Sequence, residues 1–204
     1  MKIKNLIRQV HVYAGFAMFL PLLLFAVSGF MLNHRWPLWE TWNERREVQE
    51  QVSVEVPADG TALEKARSVL GQLGLAGEVS TVVLEPQEDS LQVRAQRPGQ
   101  IVQLDLMLSS GRGTLKRTQL DGWFVVRNLH TLTGLHSNLQ EKKNWTWTRA
   151  WSLVMDFSAV IMVLLAATGL YLWTVSEERR WAGLTVLALG ALAFAAVVLL
   201  LVGI

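Results

Sequence analysis

The sequence predicts an α-helical membrane protein with three transmembrane helices and a small α+β extracytoplasmic domain. Apolar runs at residues 12–32, 150–173 and 181–204 are each about 20 residues or longer, enough to cross a hydrocarbon core of roughly 30 Å. Residues 33–149 are more polar and alternate short apolar segments with turn residues. A hydrophobic content of 51% is too high for an ordinary soluble domain, so the middle of the chain is the water-compatible part.

The first span, residues 12–32, follows an N-terminal segment, residues 1–11, that carries three basic residues. A cleavable signal peptide would also begin with cations. The apolar run exceeds a usual signal-peptide core, however, and ends in the bulky residues 33–36 rather than in small ones. We therefore expect this segment to be retained as a transmembrane helix.

Basic residues predict the orientation of the three spans. The hinge at residues 174–180 contains Arg179 and Arg180, and the N-terminus has its own basic cluster, so the positive-inside rule places both in the cytoplasm. Lys142, Lys143 and Arg149 oppose this assignment, but two separate clusters and the parity of the spans favour it. The segment between the first two spans is then expected outside the cytoplasm.

Within residues 33–122 the pattern predicts one helix packed on an antiparallel sheet. Residues 61–75 repeat apolar side chains at helical spacing after a candidate N-cap, either Asp59 or Thr61. Strands are expected at residues 79–84, 91–96, 101–108 and 114–120, separated by turn residues. Apolar and polar side chains alternate along the second of these strands, which indicates a sheet with one buried face and one wet face.

Composition excludes several classes of function. The chain has no cysteine, which rules out disulfides, thiol chemistry, iron–sulfur clusters and covalently attached haem. A net charge of +2 with scattered arginines predicts no nucleic-acid partner, while the cations beside the spans fit lipid headgroups. No phosphate-binding loop, nucleophile elbow or zinc-protease motif occurs, so the extramembrane domain offers no catalytic constellation.

Three of the four histidines lie at the borders of the apolar runs: His11 before the first run, His34 after it, and His130 ahead of the second. Neutral imidazole is a strong ligand of haem iron, and two histidines per iron give an electron-transfer centre. Without cysteines for attachment, such a cofactor would be haem b. A single histidine at a helix end can equally cap the helix or extend toward the interface, so each one alone allows that alternative.

Helix geometry limits how these ligands can pair. Twenty-three residues separate His11 from His34, about 34 Å on a helix, so they cannot share an iron. His34 and His130 both fall at the outer face, where residues 124–139 of the segment 123–149 predict an interfacial amphipathic helix, and they form the best pair within one chain. His11 needs a second copy, which a homodimer supplies. His136 turns away from His130 and is a reserve ligand.

Asp156 is the single acid within the second span, and a carboxylate in lipid is costly unless it is paired. We expect it to face Arg149, Arg35 or the second nitrogen of a ligating histidine. Tryptophans beside the spans are typical of an interfacial belt, with stacking on haem as the alternative. They are Trp36, Trp39, Trp42, Trp145, Trp147 and Trp151.

Several stretches, taken together, resemble the PepSY-associated transmembrane family over nearly the whole length. They are His11-Val12-Tyr13, Ser28-Gly29, Leu32-Asn33-His34-Arg35, Asn128-Leu129-His130-Thr131, residues 147–156 and residues 168–173. The resemblance implies a bacterial inner-membrane protein with a periplasmic PepSY domain. Several members are b-type haem proteins that move electrons across the membrane to reduce ferric iron or ferric siderophores. Larger members have more helices and more histidines, which leaves the number of haems in this chain open.

The sequence therefore favours a haem protein that takes electrons from a quinol or a cytoplasmic donor and reduces a ferric substrate outside. The alternative is a non-enzymatic PepSY-domain anchor or accessory subunit that binds a peptide or partner protein at a sheet edge. A transporter is disfavoured, because the spans show no inverted repeat and hold a single acid.

Overall fold

The computed structural model describes residues 2–34, 45–132, 139–176 and 180–203. The chain divides into two compact units, each considered by itself. The helical unit comprises residues 1–21 and 157–204, and the sheet unit comprises residues 22–156. In chain order the elements are α1 (Lys2–Asn33), β1 (Arg45–Ser53), α2 (Ala62–Gln72), β2 (Glu78–Glu85), β3 (Ser90–Arg97), β4 (Gln100–Met107), β5 (Arg112–Leu120), α3 (Trp123–Thr131), α4 (Thr146–Thr174) and α5 (Arg180–Val202).

Three helices among the described residues are long and apolar enough to cross a membrane: Lys2–Asn33, Thr146–Thr174 and Trp181–Val202. They lie where the apolar runs predicted them, and the chain is a membrane protein. Helices α1 and α4 begin earlier than the apolar runs, at Lys2 and Thr146. The polar residues before each run interrupt its apolar pattern but not the helix. Part of the predicted hinge, residues 177–179, lies outside the described residues.

The extramembrane domain is a five-stranded antiparallel sheet in the order β1-β5-β4-β3-β2. The four predicted strands are present as β2 to β5, with ends shifted by one or two residues. Strand β1 was not predicted. It pairs with β5 from Arg45↔Leu120 to Ser53↔Arg112, and it is almost entirely exposed and mostly charged or polar, so it lacks the apolar alternation by which strands are recognised.

Helix α2 covers one face of the sheet. Its N-cap is Thr61, whose side chain accepts from the Glu64 N–H while the Glu64 carboxylate accepts from the Thr61 N–H, a reciprocal capping box. The buried core combines apolar side chains of α2 with the inward residues of the strands, among them Leu91, Leu104 and Leu115. The predicted arrangement, one helix on a sheet with one buried face, is present.

The interfacial helix is shorter than the predicted 124–139. Helix α3 ends at Thr131, residues 133–138 lie outside the described residues, and Leu139 is not helical. Leu139 instead packs against the core of the sheet. Its position matched the helical spacing of apolar residues, but its side chain contacts the core of the sheet domain and is not part of a longer helix.

Candidate histidine sites on the membrane helices

In the helical unit, His11 of α1 contacts Thr168 of α4. The His11 Nδ1 atom lies 2.8 Å from the Thr168 hydroxyl oxygen. That hydroxyl donates its single proton to the Leu164 carbonyl at 2.7 Å, with the Leu165 carbonyl at 3.2 Å. The hydroxyl must therefore accept at His11, which places the imidazole proton on Nδ1. The lone pair is then on Nε2.

The ring of His11 also lies against the next residue of α4. A Cβ atom at Gly169 would be 3.3 Å from the His11 Cε1 atom, tighter than an ordinary contact. The absence of a side chain at position 169 thus gives the imidazole its place beside the helix. Close approach of this kind is a common use of glycine in membrane helices.

In the sheet unit, His130 of α3 meets Ser28 of α1. The His130 Nδ1 atom lies 2.6 Å from the Ser28 hydroxyl, which is fully buried and 3.3 Å from the Phe25 carbonyl. A Cβ atom at Gly29 would be 3.7 Å from the His130 Cε1 atom, an ordinary contact. The ring of Phe25 stands edge-on to the imidazole, with 5.6 Å between centroids.

The two histidines therefore share one arrangement. Each meets a hydroxyl residue followed by glycine on a membrane helix, Thr168-Gly169 or Ser28-Gly29, which we call the hydroxyl–glycine pair. The hydroxyl contacts the histidine Nδ1, and the glycine lies beside the ring, where a Cβ atom would crowd His11 but would make only an ordinary contact with His130. Both dipeptides belong to stretches that carry the family resemblance. The signal for the sites was the recurrence of the dipeptide in two apolar helices, each to be matched with a histidine elsewhere.

His34 is placed differently, at the end of α1. Its Nδ1–H donates to the Phe30 carbonyl at 2.9 Å, and its ring stacks on the Phe30 ring with 4.2 Å between centroids. Carbonyls in the last turn of a helix lack intrahelical partners, so this bond caps α1. The capping alternative considered from the sequence is therefore observed. A carbonyl can only accept, so the Nδ1 atom of His34 carries a proton.

Asp156 is exposed on α4, and the contacts expected for it are made by other groups. Arg149 donates to the Glu141 carboxylate at 3.1 Å and to the Lys143 carbonyl at 2.8 Å. Arg35 and the reserve ligand His136 lie outside the described residues. The Nδ1 partners of the three described histidines are two hydroxyls and a carbonyl. The supporting role expected of Asp156 thus falls to Thr168, Ser28 and the Phe30 carbonyl.

The start of α4 is fixed to the sheet by a buried carboxylate. Glu78 of β2 is 1% exposed, and its two oxygens accept the backbone N–H groups of Asn144 and Trp145, both at 2.9 Å. The Asn144 side chain accepts from the Val79 N–H at 3.0 Å and donates to the Val79 carbonyl at 2.8 Å. We call this set the Glu78 latch. It was missed from the sequence, where Glu78 precedes the predicted strand like an ordinary turn residue.

Trp151, about one turn into α4, connects this helix to α3, the helix that contains His130. Its indole N–H donates to the Leu129 carbonyl at 3.0 Å, next to His130, and its ring lies 6.4 Å from that of Phe25. Beside it is an apolar cavity of about 300 Å³. The cavity is lined by Pro98, Leu129, Leu132, Trp145, Trp147, Ala150, Trp151 and Val154. Trp36, Trp39 and Trp42 lie outside the described residues.

At the other end of the chain, the N-terminus of α1 and the C-terminus of α4 lie together in the helical unit. The Lys4 ammonium donates to the Val175 carbonyl at 3.4 Å. A cation beside the carbonyl end of a helix is favoured by the helix dipole. The contact thus joins the start of α1 to the end of α4.

The histidines can be compared with what haem and free metal ions require of a protein. Among the described residues, no three His, Cys, Asp or Glu side chains come together, whereas structural and catalytic metal ions usually take three or four protein ligands. Haem iron needs only one or two axial ligands. A histidine ligand usually donates its other ring N–H to an oxygen, which holds the ring and raises its basicity. His11, His34 and His130 each have that second bond.

These features define a membrane protein with three helices long and apolar enough to span a membrane, a small α+β domain and two half-buried histidines that contact hydroxyl groups on apolar helices. The sequence matches the PepSY_TM-like family over residues 4–204, and the chain belongs to that family. The predicted family is therefore confirmed. No curated protein and no solved structure matches the chain.

Proposed function

We propose that this protein is a b-type haem protein of the bacterial inner membrane that passes electrons across the membrane to reduce ferric iron or a ferric siderophore in the periplasm. The observation that carries the proposal is the pair of matched histidine sites. At each, an oxygen acceptor engages Nδ1 and directs the lone pair to Nε2. When bound, haem supplies one-electron redox chemistry whose potential follows the axial ligands and their hydrogen bonds.

His11 calls for a second copy of the chain. The sequence of the helical unit contains a single histidine, so a haem held there by two histidines would need the second from elsewhere. A two-fold homodimer brings the same residue of both copies to one interface. In the sheet unit, His34 and His130 stay the predicted pair within one chain, with His136 as the reserve.

An apolar groove of about 830 Å³ provides space of the size that organic cofactors occupy. It lies between α4 and α5 and includes Gly169, the glycine against which the His11 ring rests. The macrocycle of haem is largely apolar, and its burial would remove water from the iron. The groove and the His11 site share Gly169, and the proposal assigns them to one cofactor site.

The direction of electron flow follows the proposed orientation, with the N-terminus in the cytoplasm and the sheet domain in the periplasm. Electrons enter from a quinol or a cytoplasmic donor. The ferric substrate is then reduced on the side of the sheet domain, whose uncovered face has a polar cavity of about 260 Å³. Thr81, Gln92, Arg94, Gln103 and Asp105 contribute polar or charged side chains to that cavity.

The experiment is an absorption spectrum of the full chain, purified in detergent from haem-replete cells, before and after dithionite. Sharp Soret and α bands that shift on reduction support the proposal. His11→Ala and His130→Ala should each lose a distinct share of the haem. His34→Ala and His136→Ala test whether either histidine is the second ligand at the outer site. A colourless wild-type protein would contradict the proposal and leave the anchor or accessory-subunit alternative.

That alternative also has a structural feature in its favour. Strand β1 forms an edge of the sheet and is almost entirely exposed over nine residues, so its outer side can receive an added strand. Its charged side chains weigh against this, since charge on an edge strand discourages pairing. A colourless protein that retains a peptide or a partner protein through β1 would establish the accessory role.

A further inference from the structure

We infer that Thr168 and Ser28 are positioning residues that fix the tautomer and ring orientation of His11 and His130, so that each presents the Nε2 lone pair to iron. The inference deepens the proposed function and rests on it for the identity of the metal. The tautomers themselves are properties of the protein without cofactor, so they can be tested separately.

The argument is strongest at Thr168 because its proton has a defined destination. The hydroxyl lies 2.7 Å from the Leu164 carbonyl, four residues earlier on α4, and a carbonyl can only accept. With its proton committed there, the oxygen can only accept from the imidazole 2.8 Å away. The His11 proton is therefore on Nδ1.

Ser28 acts in the same sense at His130. Its hydroxyl has two neighbours, the Phe25 carbonyl at 3.3 Å and the His130 Nδ1 at 2.6 Å. Donation to the carbonyl and acceptance from the imidazole satisfies both groups, whereas donation to Nδ1 would leave the carbonyl contact unused. Ser28 is fully buried, so water does not replace either bond.

A hydroxyl that merely satisfied a polar histidine would need no glycine beside it. At both sites, however, the residue after the hydroxyl is a glycine whose missing side chain faces the histidine Cε1 atom, at 3.3 Å for Gly169 and 3.7 Å for Gly29. Cε1 lies between the two ring nitrogens, so the edge of each ring lies beside the glycine, and at position 169 a side chain would crowd it. The pair thus sets both which nitrogen is protonated and where the other points.

The first test uses nitrogen NMR of the cofactor-free full chain in lipid, with histidine labelled at both ring nitrogens. The pH is kept near 8, above the value of about 6.5 at which free histidine titrates. We expect protonated-type Nδ1 and unprotonated-type Nε2 signals for His11 and His130. Thr168→Val and Ser28→Ala should each convert only the facing histidine to a mixture of tautomers, and Thr168→Ser and Ser28→Thr should restore the single form.

Matched controls separate this effect from general changes in the membrane helices. Thr185 of α5 also donates its hydroxyl to a carbonyl four residues earlier, Trp181, at 2.9 Å, so Thr185→Val removes a comparable bond away from the histidines. Ser158 is a buried serine of α4, so Ser158→Ala matches Ser28→Ala. Neither control should move a histidine signal.

The second test loads the same variants with haem. Loss of the partner that orients a metal-ligating histidine typically costs 10- to 100-fold in metal affinity, so Thr168→Val and Ser28→Ala should lose haem at least about tenfold more readily. Protonated-type Nε2 in the cofactor-free wild type, or tautomers unchanged in Thr168→Val, would overturn the inference even if haem binds. The expected tautomers in a protein that takes up no haem would instead overturn the proposed function alone.

Discussion

The His11 and His130 sites contain the same groups, a histidine and a hydroxyl–glycine pair, but α1 contributes the histidine to one and the pair to the other. In the helical unit, α1 supplies the histidine and α4 the hydroxyl–glycine pair, whereas in the sheet unit α1 supplies the pair and α3 the histidine. His11 is thus held between two long membrane helices. His130 lies on a helix of nine residues whose neighbour Leu129 is bonded to Trp151. The comparison indicates that the His130 site depends on the fold of the sheet unit, and that the His11 site depends on helix packing.

The largest expected effect comes from disrupting the Glu78 latch, which should affect the His130 site and leave the His11 site intact. In Glu78→Ala, two buried backbone N–H groups lose their acceptor, which should cost about 2–4 kcal/mol, since each unsatisfied buried group costs about 1–3 kcal/mol. Unfolding in detergent with denaturant, followed by circular dichroism, measures the loss. The His130 signals should broaden while the His11 signals keep their wild-type tautomer.

The matched control for the latch is Glu50→Ala on the exposed strand β1. Glu50 pairs with Arg117 at 2.8 Å, and surface ion pairs of this kind contribute little to stability. If Glu78→Ala were no less stable than Glu50→Ala, the latch would not secure the sheet unit.

The next effect concerns the two glycines, whose replacement by alanine should change haem retention differently at the two sites. Gly169→Ala places a methyl 3.3 Å from the His11 ring, so either the ring or α4 must shift, whereas Gly29→Ala makes an ordinary contact at 3.7 Å. We expect Gly169→Ala to weaken haem retention several-fold and Gly29→Ala to change it little. Gly15→Ala, on α1 with nothing within 4 Å, is the control. Equal losses in Gly169→Ala and Gly29→Ala would show that the clearance does not matter.

A smaller effect belongs to the aromatic neighbour that distinguishes the His130 site. Phe25→Leu removes the edge-on contact with the imidazole, and such aromatic pairs contribute about 0.5–1.5 kcal/mol beyond their buried area. The thermal midpoint should fall by a few degrees, and the His130 proton shifts should lose the influence of the ring. Phe19→Leu, at an exposed position of α1, should do neither. Unchanged His130 shifts in Phe25→Leu would contradict the contact.

The smallest effect is a pH dependence confined to the sheet unit. Bonds from the Thr61 backbone N–H, then from its hydroxyl, hold the pKa of Glu64 below its ordinary value of 4.5. A carboxyl whose folded pKa is lowered stabilises the fold above its unfolded pKa, and that contribution is lost as the pH falls through the folded value. Wild-type stability should therefore fall more steeply below about pH 4.5 than that of Glu64→Gln. Parallel curves for the two proteins would remove this role of the capping box.

Local patterns predicted much of the fold. Uninterrupted apolar runs located the three long helices, and the alternation around Leu91 and Val93 located the buried face of the sheet. Strand β1 could not be found this way, because an exposed edge strand has no apolar side to alternate. The prediction for Leu139 was wrong, because its apolar side chain fits a helical period but packs against the core of the sheet domain.

The site was predicted only in part, because its partners are distant in sequence. His11 and His130 were singled out by their position beside apolar runs. Their hydroxyl partners lie 157 and 102 residues away, so no local pattern could assign them. Asp156 was predicted to support a histidine because it is a charge in an apolar span, yet the Nδ1 atoms of His11 and His130 contact neutral hydroxyl groups. A charge is conspicuous in a membrane helix, whereas serine and threonine are common there, and only the recurrence of a hydroxyl residue before glycine in two apolar helices pointed to these two.

The most direct measurement of the central claim is the electron paramagnetic resonance spectrum of the oxidised full chain, purified from haem-replete cells, together with the haem-to-chain ratio. The account predicts low-spin ferric haem with two histidine ligands, in more than one environment, and loss of one set of signals in His11→Ala and of another in His130→Ala. A protein without haem, or one whose low-spin signal is unchanged in both variants, would contradict the account.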